Sequence, residues 1–390
     1  MLDALGIQKI DDLFTDVPEA NRFPDLNLPP AMSEMEVLRE IDELAGRNTT
    51  GPGIPGRRPL SFAGAGAYQH FIPSVVSYLA GRGEFTTAYT PYQAEASQGT
   101  LQAMFEYQSM LCDLLDMDAV NASHYDGATA VAEAAIMAVR ATRGRDKVVF
   151  SGALHPEYIE VAKSYLQPQG ITVEIADSPD LPGAADQSTA ALIVQNPDFL
   201  GRIHDLSGLA DQVHNRGALL VLHVDPIATA LFKSPGSLGA DIVTGEGQPL
   251  GIPVSFGGPY LGIFATRASL VRKMPGRLVG RTTDTDGRRG FVLTLNTREQ
   301  HIRREKATSN ICTNQGLMAL RAAIYLASMG PIGLREVAER CYHNAHYAAD
   351  RLAEISGCSV NAGDTTPYFK EFVLTTPLPA DTLISQVVSQ

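Results

Sequence analysis

An open α/β domain with a mostly parallel sheet covered by helices on both faces is the fold class that this sequence predicts. Three observations carry it: short β-branched runs at 147–150 and 171–175 and short apolar runs at 191–195, 218–224, 241–243 and 260–266; helical patterns between several of them, such as 205–216; and turn residues at most boundaries. A strand buried on both faces has no solvent side and reads as an uninterrupted apolar run. When such strands alternate with helices, the connections are crossovers and the sheet is mostly parallel. A chain of 390 residues, 44% of them hydrophobic, can bury a large core of this kind and a smaller second domain.

In chain order, residues 1–94 read as an irregular arm. Phe23-Pro24, Pro29-Pro30 and the glycine-proline segment 51–56 interrupt short helical patterns. Such an arm buries little of itself and is expected to lie across another surface, of this chain or of a partner. Residues 95–315 form the large domain, opening with helical patterns at 94–117 and 128–143 and continuing into the apolar runs. Residues 316–390 begin a smaller α+β domain: helical stretches at 316–328 and 332–355, a strand at 371–376 and a last helix at 380–389. One strand falls short of the three that a stable sheet wants, so this domain is expected to be truncated, or its remaining strands to lie between the two helices.

Composition removes several function classes. A net charge of −12 argues against nucleic-acid binding, which needs a basic surface to displace counterions. Cys112, Cys312, Cys341 and Cys358 are far apart and include no C-x-x-C pair, which argues against a zinc site or disulfide framework and fits a reducing cytoplasm. The acidic start is unlike a signal peptide, and no apolar run approaches a bilayer span, so no membrane role is expected.

The stretch 61–67, Ser-Phe-Ala-Gly-Ala-Gly-Ala, lacks the preceding strand and third glycine of a dinucleotide loop and reads as a glycine turn. Asp126-Gly127-Ala128-Thr129 opens a helix. There the backbone N–H groups can hold an anion, or Asp126 can simply cap the helix. Asp225 follows the apolar run 218–224, at the strand edge where parallel sheets place ligands; it would pair with a pyridine nitrogen in a pyridoxal-phosphate enzyme, or cap the turn before Pro226. Such an enzyme also needs a lysine on the loop after that acid. The loop reads Thr244-Gly-Glu-Gly-Gln-Pro-Leu-Gly251, and Gln248 stands near the lysine's place. The seven lysines are Lys9, Lys147, Lys163, Lys233, Lys273, Lys306 and Lys370, and none follows a strand where required.

Tyr89, Thr90, Tyr92, Gln93 and Glu95 precede a long helix, where the two rings line a pocket or partner surface, or merely pack the helix start. Residues 267–306 carry eleven basic side chains against four acids, +7 in a chain of −12. That is a solvated face, or a set of arginines for carboxylates, phosphates or an acidic protein.

Taken together, Tyr89-Thr-Pro-Tyr-Gln93, Ser97-Gln-Gly99, His124-Tyr-Asp-Gly-Ala-Thr-Ala130, His155-Pro-Glu-Tyr158, the run Gly245-Glu-Gly-Gln-Pro-Leu-Gly-Ile-Pro253, Phe256-Gly-Gly-Pro-Tyr-Leu-Gly262 and Lys306-Ala-Thr-Ser-Asn-Ile-Cys-Thr313 closely resemble the P-protein family of the glycine cleavage system, in its subunit 1 form. The match spans nearly the whole chain. It implies the fold of pyridoxal-phosphate-dependent transferases (fold type I, aminotransferase-like) and an α2β2 assembly with a subunit 2. That partner binds pyridoxal phosphate covalently on its lysine, and this chain binds none covalently. The assembly would decarboxylate glycine and pass the aminomethyl group to the lipoyl arm of H-protein. By the same resemblance Tyr89, Thr90, Tyr92, Gln93 and Glu95 lie near the shared active site or subunit interface. Asp126, Gly127, Thr129, His155 and Asp225 form a degenerate cofactor pocket, and no residue is assigned as a catalytic acid or base. Two other readings remain: a non-catalytic scaffold or regulator, and a self-sufficient lyase using one of the seven lysines, of which Lys233 is nearest in sequence to Asp225.

Overall fold

The computed structural model describes residues 1–47, 62, 64–87, 89–177, 181–313 and 315–388. Its chain divides into two compact units, Met1–Ala63 and Gly64–Gln390. The first contains α1 (Leu2–Leu5) and α2 (Glu34–Ala45), neither of which buries a residue. Helix α2 is held at its start by a capping box, in which the Ser33 N–H donates to Glu36 Oε2 at 2.8 Å. Its apolar Met35, Leu38, Ile41 and Leu44 remain exposed. The segment 51–56 lies outside the described residues.

The second unit begins with α3 (Ser74–Ala80), α4 (Gly83–Thr86) and α5 (Gln98–Leu115), followed by β1 (Ala119–Val120) and α6 (Gly127–Ala141). Then come β2 (Lys147–Ser151), α7 (Pro156–Leu166), β3 (Thr172–Ala176), β4 (Thr189–Gln195), α8 (Leu209–Asn215), β5 (Leu219–Val224), β6 (Ile242–Glu246) and β7 (Gly262–Thr266). These strands form one seven-stranded sheet in the order β1-β7-β6-β5-β4-β2-β3. The run from β3 to β6 is parallel, as expected. Strand β7 runs antiparallel to β6 because the 247–261 connection between them contains no crossover helix and simply turns back, pairing Glu246 with Gly262.

Alternation along the strands splits the core in two. Val149, Leu192, Val194, Leu220, Leu222 and Val243 pack with α5, α8 and α10 residues on one face. Val148, Phe150, Ala191, Ile193, Val221 and Ile242 pack with α6 and α7 residues on the other. Both faces are therefore dry, which is why the strands read as continuous apolar runs.

A hairpin, β8 (Leu278–Thr283) and β9 (Arg289–Thr294), is not among the expected elements, although Asp286-Gly287 with Gly287 at φ +78° is the turn chemistry such a hairpin needs. After α9 (Gln300–Arg303), helix α10 (Gly316–Ala353) is interrupted at Gly330 (φ 60°, ψ −178°) just before Pro331, which yields the two helical stretches expected there. By length and composition alone α10 could cross a bilayer, its mean hydropathy reaching 1.5 over 18 residues. Here it buries Ala319, Ala322 and Tyr325 in the core and packs on α5. Strands β10 (Ser359–Val360) and β11 (Leu374–Thr375) pair antiparallel, so the expected strand at 371–376 has a short partner, and α11 (Ala380–Val388) follows.

Candidate functional site

The ends of β5 and β6 and the starts of α6 and α7 converge on one cluster. Asp126 caps α6: its Oδ1 accepts the Thr129 N–H at 2.8 Å, and its own N–H donates to Thr129 Oγ1 at 3.2 Å. The anion position at that helix start is taken as well, by an acid of this chain. The Gly127 N–H donates to Glu246 Oε2 at 2.9 Å, while the Gln248 and Leu261 N–H groups donate to Oε1 at 2.9 and 3.3 Å. Burial pushes the Glu246 carboxyl up to about 8 and outweighs the three N–H donors that favour its ionised form. Above Gly127 there is no spare room: a Cβ there would stand 3.1 Å from the Tyr158 hydroxyl and 3.1 Å from the His223 ring. Gly127→Ala is therefore expected to lower stability by about 1–3 kcal/mol, read from the urea midpoint.

His155 caps α7. Its Nδ1 accepts the Glu157 N–H at 3.2 Å, so the ring proton lies on Nε2, which donates to the Ala65 carbonyl at 3.2 Å. The His155 ring stacks on Tyr158 with centroids 4.4 Å apart and planes 9° from parallel. Tyr158 in turn stands edge-on to His223, 5.3 Å away. Ala65 belongs to the expected glycine turn, and Gly64, Ala65 and Gly66 all adopt positive φ, at 63°, 63° and 92°. Ser61 and Ala63 of that stretch lie outside the described residues.

Asp225 does two things at once. Its Oδ1 accepts the Ile227 N–H at 2.8 Å across Pro226, and its Oδ2 stands 2.5 Å from Lys370 Nζ. Burial would raise the Asp225 carboxyl, but the Lys370 ammonium holds it below its usual range. The lysine that faces Asp225 is thus Lys370 and not Lys233, its neighbour in sequence, which lines a separate hollow with Asn196, Ile203 and Phe232. Lys370 Nζ also lies 3.6 Å from the centroid of Tyr68, whose hydroxyl donates to Glu371 Oε2 at 2.6 Å. Gln248, 1% exposed, clasps the same tyrosine's backbone: Oε1 accepts the Tyr68 N–H at 3.0 Å and Nε2 donates to the Tyr68 carbonyl at 2.9 Å.

Asp126, Gly127, Thr129, His155, Asp225 and Gln248 are thus gathered through Glu246, Tyr158, Tyr68 and Lys370, to none of which the sequence pattern assigns a role. Lys370 is beyond any local pattern. Glu246 is within reach of one, as an acid ending an apolar run. The other set behaves differently. Tyr89 and Tyr92 are 68% and 55% exposed, Gln93 and Glu95 are exposed, and Thr90 is half-buried. The rings therefore do not pack the start of α5. Tyr92 stands 5.6 Å from His301, and Tyr89 borders a hollow of about 300 Å³ with Phe85, Met104, Arg277 and Leu320. Part of the 267–306 charge is structural, because Arg267, Arg277 and Arg298 donate to backbone carbonyls of Asp116, Thr313 and Gly276. Lys273 likewise donates to the Arg140 and Ala141 carbonyls, and Arg272, Arg281, Arg288, Arg289, Arg303, Arg304 and Lys306 are the exposed remainder.

Covalently held pyridoxal phosphate would need a free anion cradle, a flat slot, an acid for its ring nitrogen and a primary amine near its aldehyde. Here the cradle holds Glu246, Tyr158 lies on His155, Asp225 is engaged by Lys370, and the β6 loop has no amine. The residues present do not fit that group.

The family profile described as "Glycine cleavage system P-protein" matches residues 1–377. A relative from Thermomicrobium roseum, "Probable glycine dehydrogenase (decarboxylating) subunit 1", is 53% identical over 387 residues, covering 97% of this chain and 84% of its own. One of the same description from Chlorobium phaeobacteroides is 50% identical and covers 100% of this chain and 88% of its own. Among solved structures, an inhibitor-bound glycine decarboxylase (P-protein) of the glycine cleavage system superposes with a TM-score of 0.91 at 43% identity, over 99% of this chain and 88% of that one. A sphingosine-1-phosphate lyase from Burkholderia pseudomallei, 16% identical with a TM-score of 0.62 over 96% of this chain and 86% of its own, shares the fold. With the profile spanning nearly all its residues, this chain belongs to the glycine cleavage system P-protein family.

Proposed function

We propose that this chain is subunit 1 of a two-subunit glycine dehydrogenase (decarboxylating), acting on glycine only beside a subunit 2 that holds pyridoxal phosphate on a lysine. Lipoylated H-protein is the aminomethyl acceptor, the assembly is α2β2, and its location is cytoplasmic. The observation that carries this reading is Gln248, buried and spent on the Tyr68 backbone at the position where an independent enzyme needs an amine. The relatives' descriptions as subunit 1 support it. In the same reading 1–94 is the arm, 95–315 the large domain and 316–390 the small one. The exposed Tyr89, Tyr92, Gln93 and Glu95, with the half-buried Thr90 among them, face the partner and its active site.

The test is glycine-carboxylate/CO2 exchange. The chain alone gives none, and addition of subunit 2 and H-protein restores it. Exchange by the chain alone would revive the self-sufficient lyase, and no exchange from the full mixture would favour the scaffold. Tyr92→Ala is expected to leave stability within about 0.5 kcal/mol, since it is a surface substitution. Exchange in the assembled enzyme should drop roughly tenfold or more, as an interface aromatic loss of about 1.4 kcal/mol implies.

A further inference from the structure

We propose that Glu246, Tyr158 and Lys370 together stand in for a bound pyridoxal phosphate, closing from within the site that the fold offers to that cofactor. The inference rests on the reading that chemistry belongs to the partner's site. Beyond that reading, it gives this chain's own site a positive role, which is to keep loose cofactor and anions out.

Three places in one cluster carry it. A phosphate at the start of α6 would take backbone N–H groups; Glu246 takes the Gly127 N–H there, and adds those of Gln248 and Leu261 from the loop after β6. A flat heteroaromatic ring would need a slot against an aromatic face. Tyr158 fills that slot on His155 and closes over Gly127, where an added Cβ would stand 3.1 Å from its hydroxyl, inside ordinary van der Waals contact. A pyridinium N–H would present a positive donor to the acid ending β5; the Lys370 ammonium presents the same charge to Asp225 at 2.5 Å. An acceptor, a ring and a cation are thus supplied by three side chains, from β6, α7 and the segment before β11.

The position of Lys370 also explains why a lysine in this cluster does not make it a cofactor-binding enzyme. In pyridoxal the ring nitrogen and the carbon bearing the aldehyde are para to each other. An amine seated on the nitrogen's acid is at the wrong end of the ring to condense with that aldehyde, and reaching it would strand Asp225 unpaired. Sequence counting alone, which only asks whether a lysine follows the right strand, does not reveal this.

The experiment uses the full chain and reads thermal midpoints. For the wild type, 1 mM pyridoxal phosphate or 20 mM inorganic phosphate is expected to shift the midpoint by less than about 1 °C; occupancy would raise it through the mass-action relation. In Glu246→Ala the cradle is open. Inorganic phosphate or acetate should raise the midpoint by about 2 °C at ten times its Kd, while chloride at equal ionic strength does not. In Lys370→Ala, ethylammonium should raise the midpoint and sodium should not. Stabilisation of the wild type by pyridoxal phosphate overturns the proposal, as does a folded Glu246→Ala chain that ignores both anions. Should Glu246→Ala fail to fold, the Lys370→Ala arm decides alone, and indifference to ethylammonium overturns the proposal. Wild-type exchange with subunit 2, run beside these arms, reports on the proposed function separately, because neither rescue depends on it.

Discussion

Lys370→Met is expected to lower the unfolding free energy by about 3 kcal/mol at pH 7, and Asp225→Leu in the same chain to return most of that loss. The two side chains of this 2.5 Å pair are 7% and 17% exposed. Removing the ammonium leaves a carboxylate largely cut off from water, with only the Ile227 N–H to satisfy it. The low end of the usual 3–5 kcal/mol for breaking a buried pair applies because Asp225 keeps some exposure and because His70 sits close enough to respond. His70 is held down to about 4 by burial first and by Lys370 second, so losing the lysine lets the histidine accept part of the compensating charge.

The pH dependence gives a second check on the sign. In the wild type the Asp225 carboxyl is lowered, so its contribution is present above the unfolded carboxyl range and fades as pH falls through the folded value. In Lys370→Met burial is opposed only by the Ile227 N–H and His70, so the carboxyl is expected to rise and stability to be lost instead as pH increases above about 4. Urea midpoints at unchanged slope, from pH 3.5 to 8, measure both. A Lys370→Met chain as stable as the wild type at pH 7 would mean that the ion pair contributes nothing to the fold.

What the sequence made legible follows from which forces act locally. Strands 147–151, 189–195 and 219–224 were found because burial on both sheet faces leaves an unbroken apolar run, and the two parts of α10 because Gly330-Pro331 is a local break. The direction of β7 was not legible, since a strand's own residues do not say which way its neighbour runs. At the site, the cap Asp126 was legible because a helix start needs one within its own turn, whereas His155, which also proves to cap a helix, entered only through the family resemblance. Lys370 and Tyr68 were not, because they meet Asp225 and Gln248 only through tertiary packing, across sequence separations that no periodicity spans. The +7 count at 267–306 left its role open for a related reason: a guanidinium that donates to backbone carbonyls, as in Arg267, has the same letter as one facing water.

Glu246 yields the other large effect, and here stability and pH run in the opposite sense to Asp225. Its folded value of about 8 lies above the ordinary 4.5, so the folded chain holds a proton that the unfolded chain has released throughout that window. Stability therefore falls as pH rises from 4.5 to about 8 and levels off beyond, with a total of roughly 4–5 kcal/mol as an upper bound at 1.36 kcal/mol per pH unit. Glu246→Gln removes the titration and should flatten the curve. It is not a perfect replacement: Gln Oε1 can still accept the Gln248 and Leu261 N–H groups, but its NH2 then faces the Gly127 N–H, donor to donor, at a cost of about 1–2 kcal/mol. The variant is thus expected to be less stable than the wild type at pH 4.5 and more stable at pH 8, with the curves crossing between roughly pH 5 and 7. Parallel curves over that range would show that Glu246 titrates like an ordinary surface acid. A crossing would show that the chain retains at neutral pH an acid that its stability alone disfavours, as expected of a group kept for what it blocks.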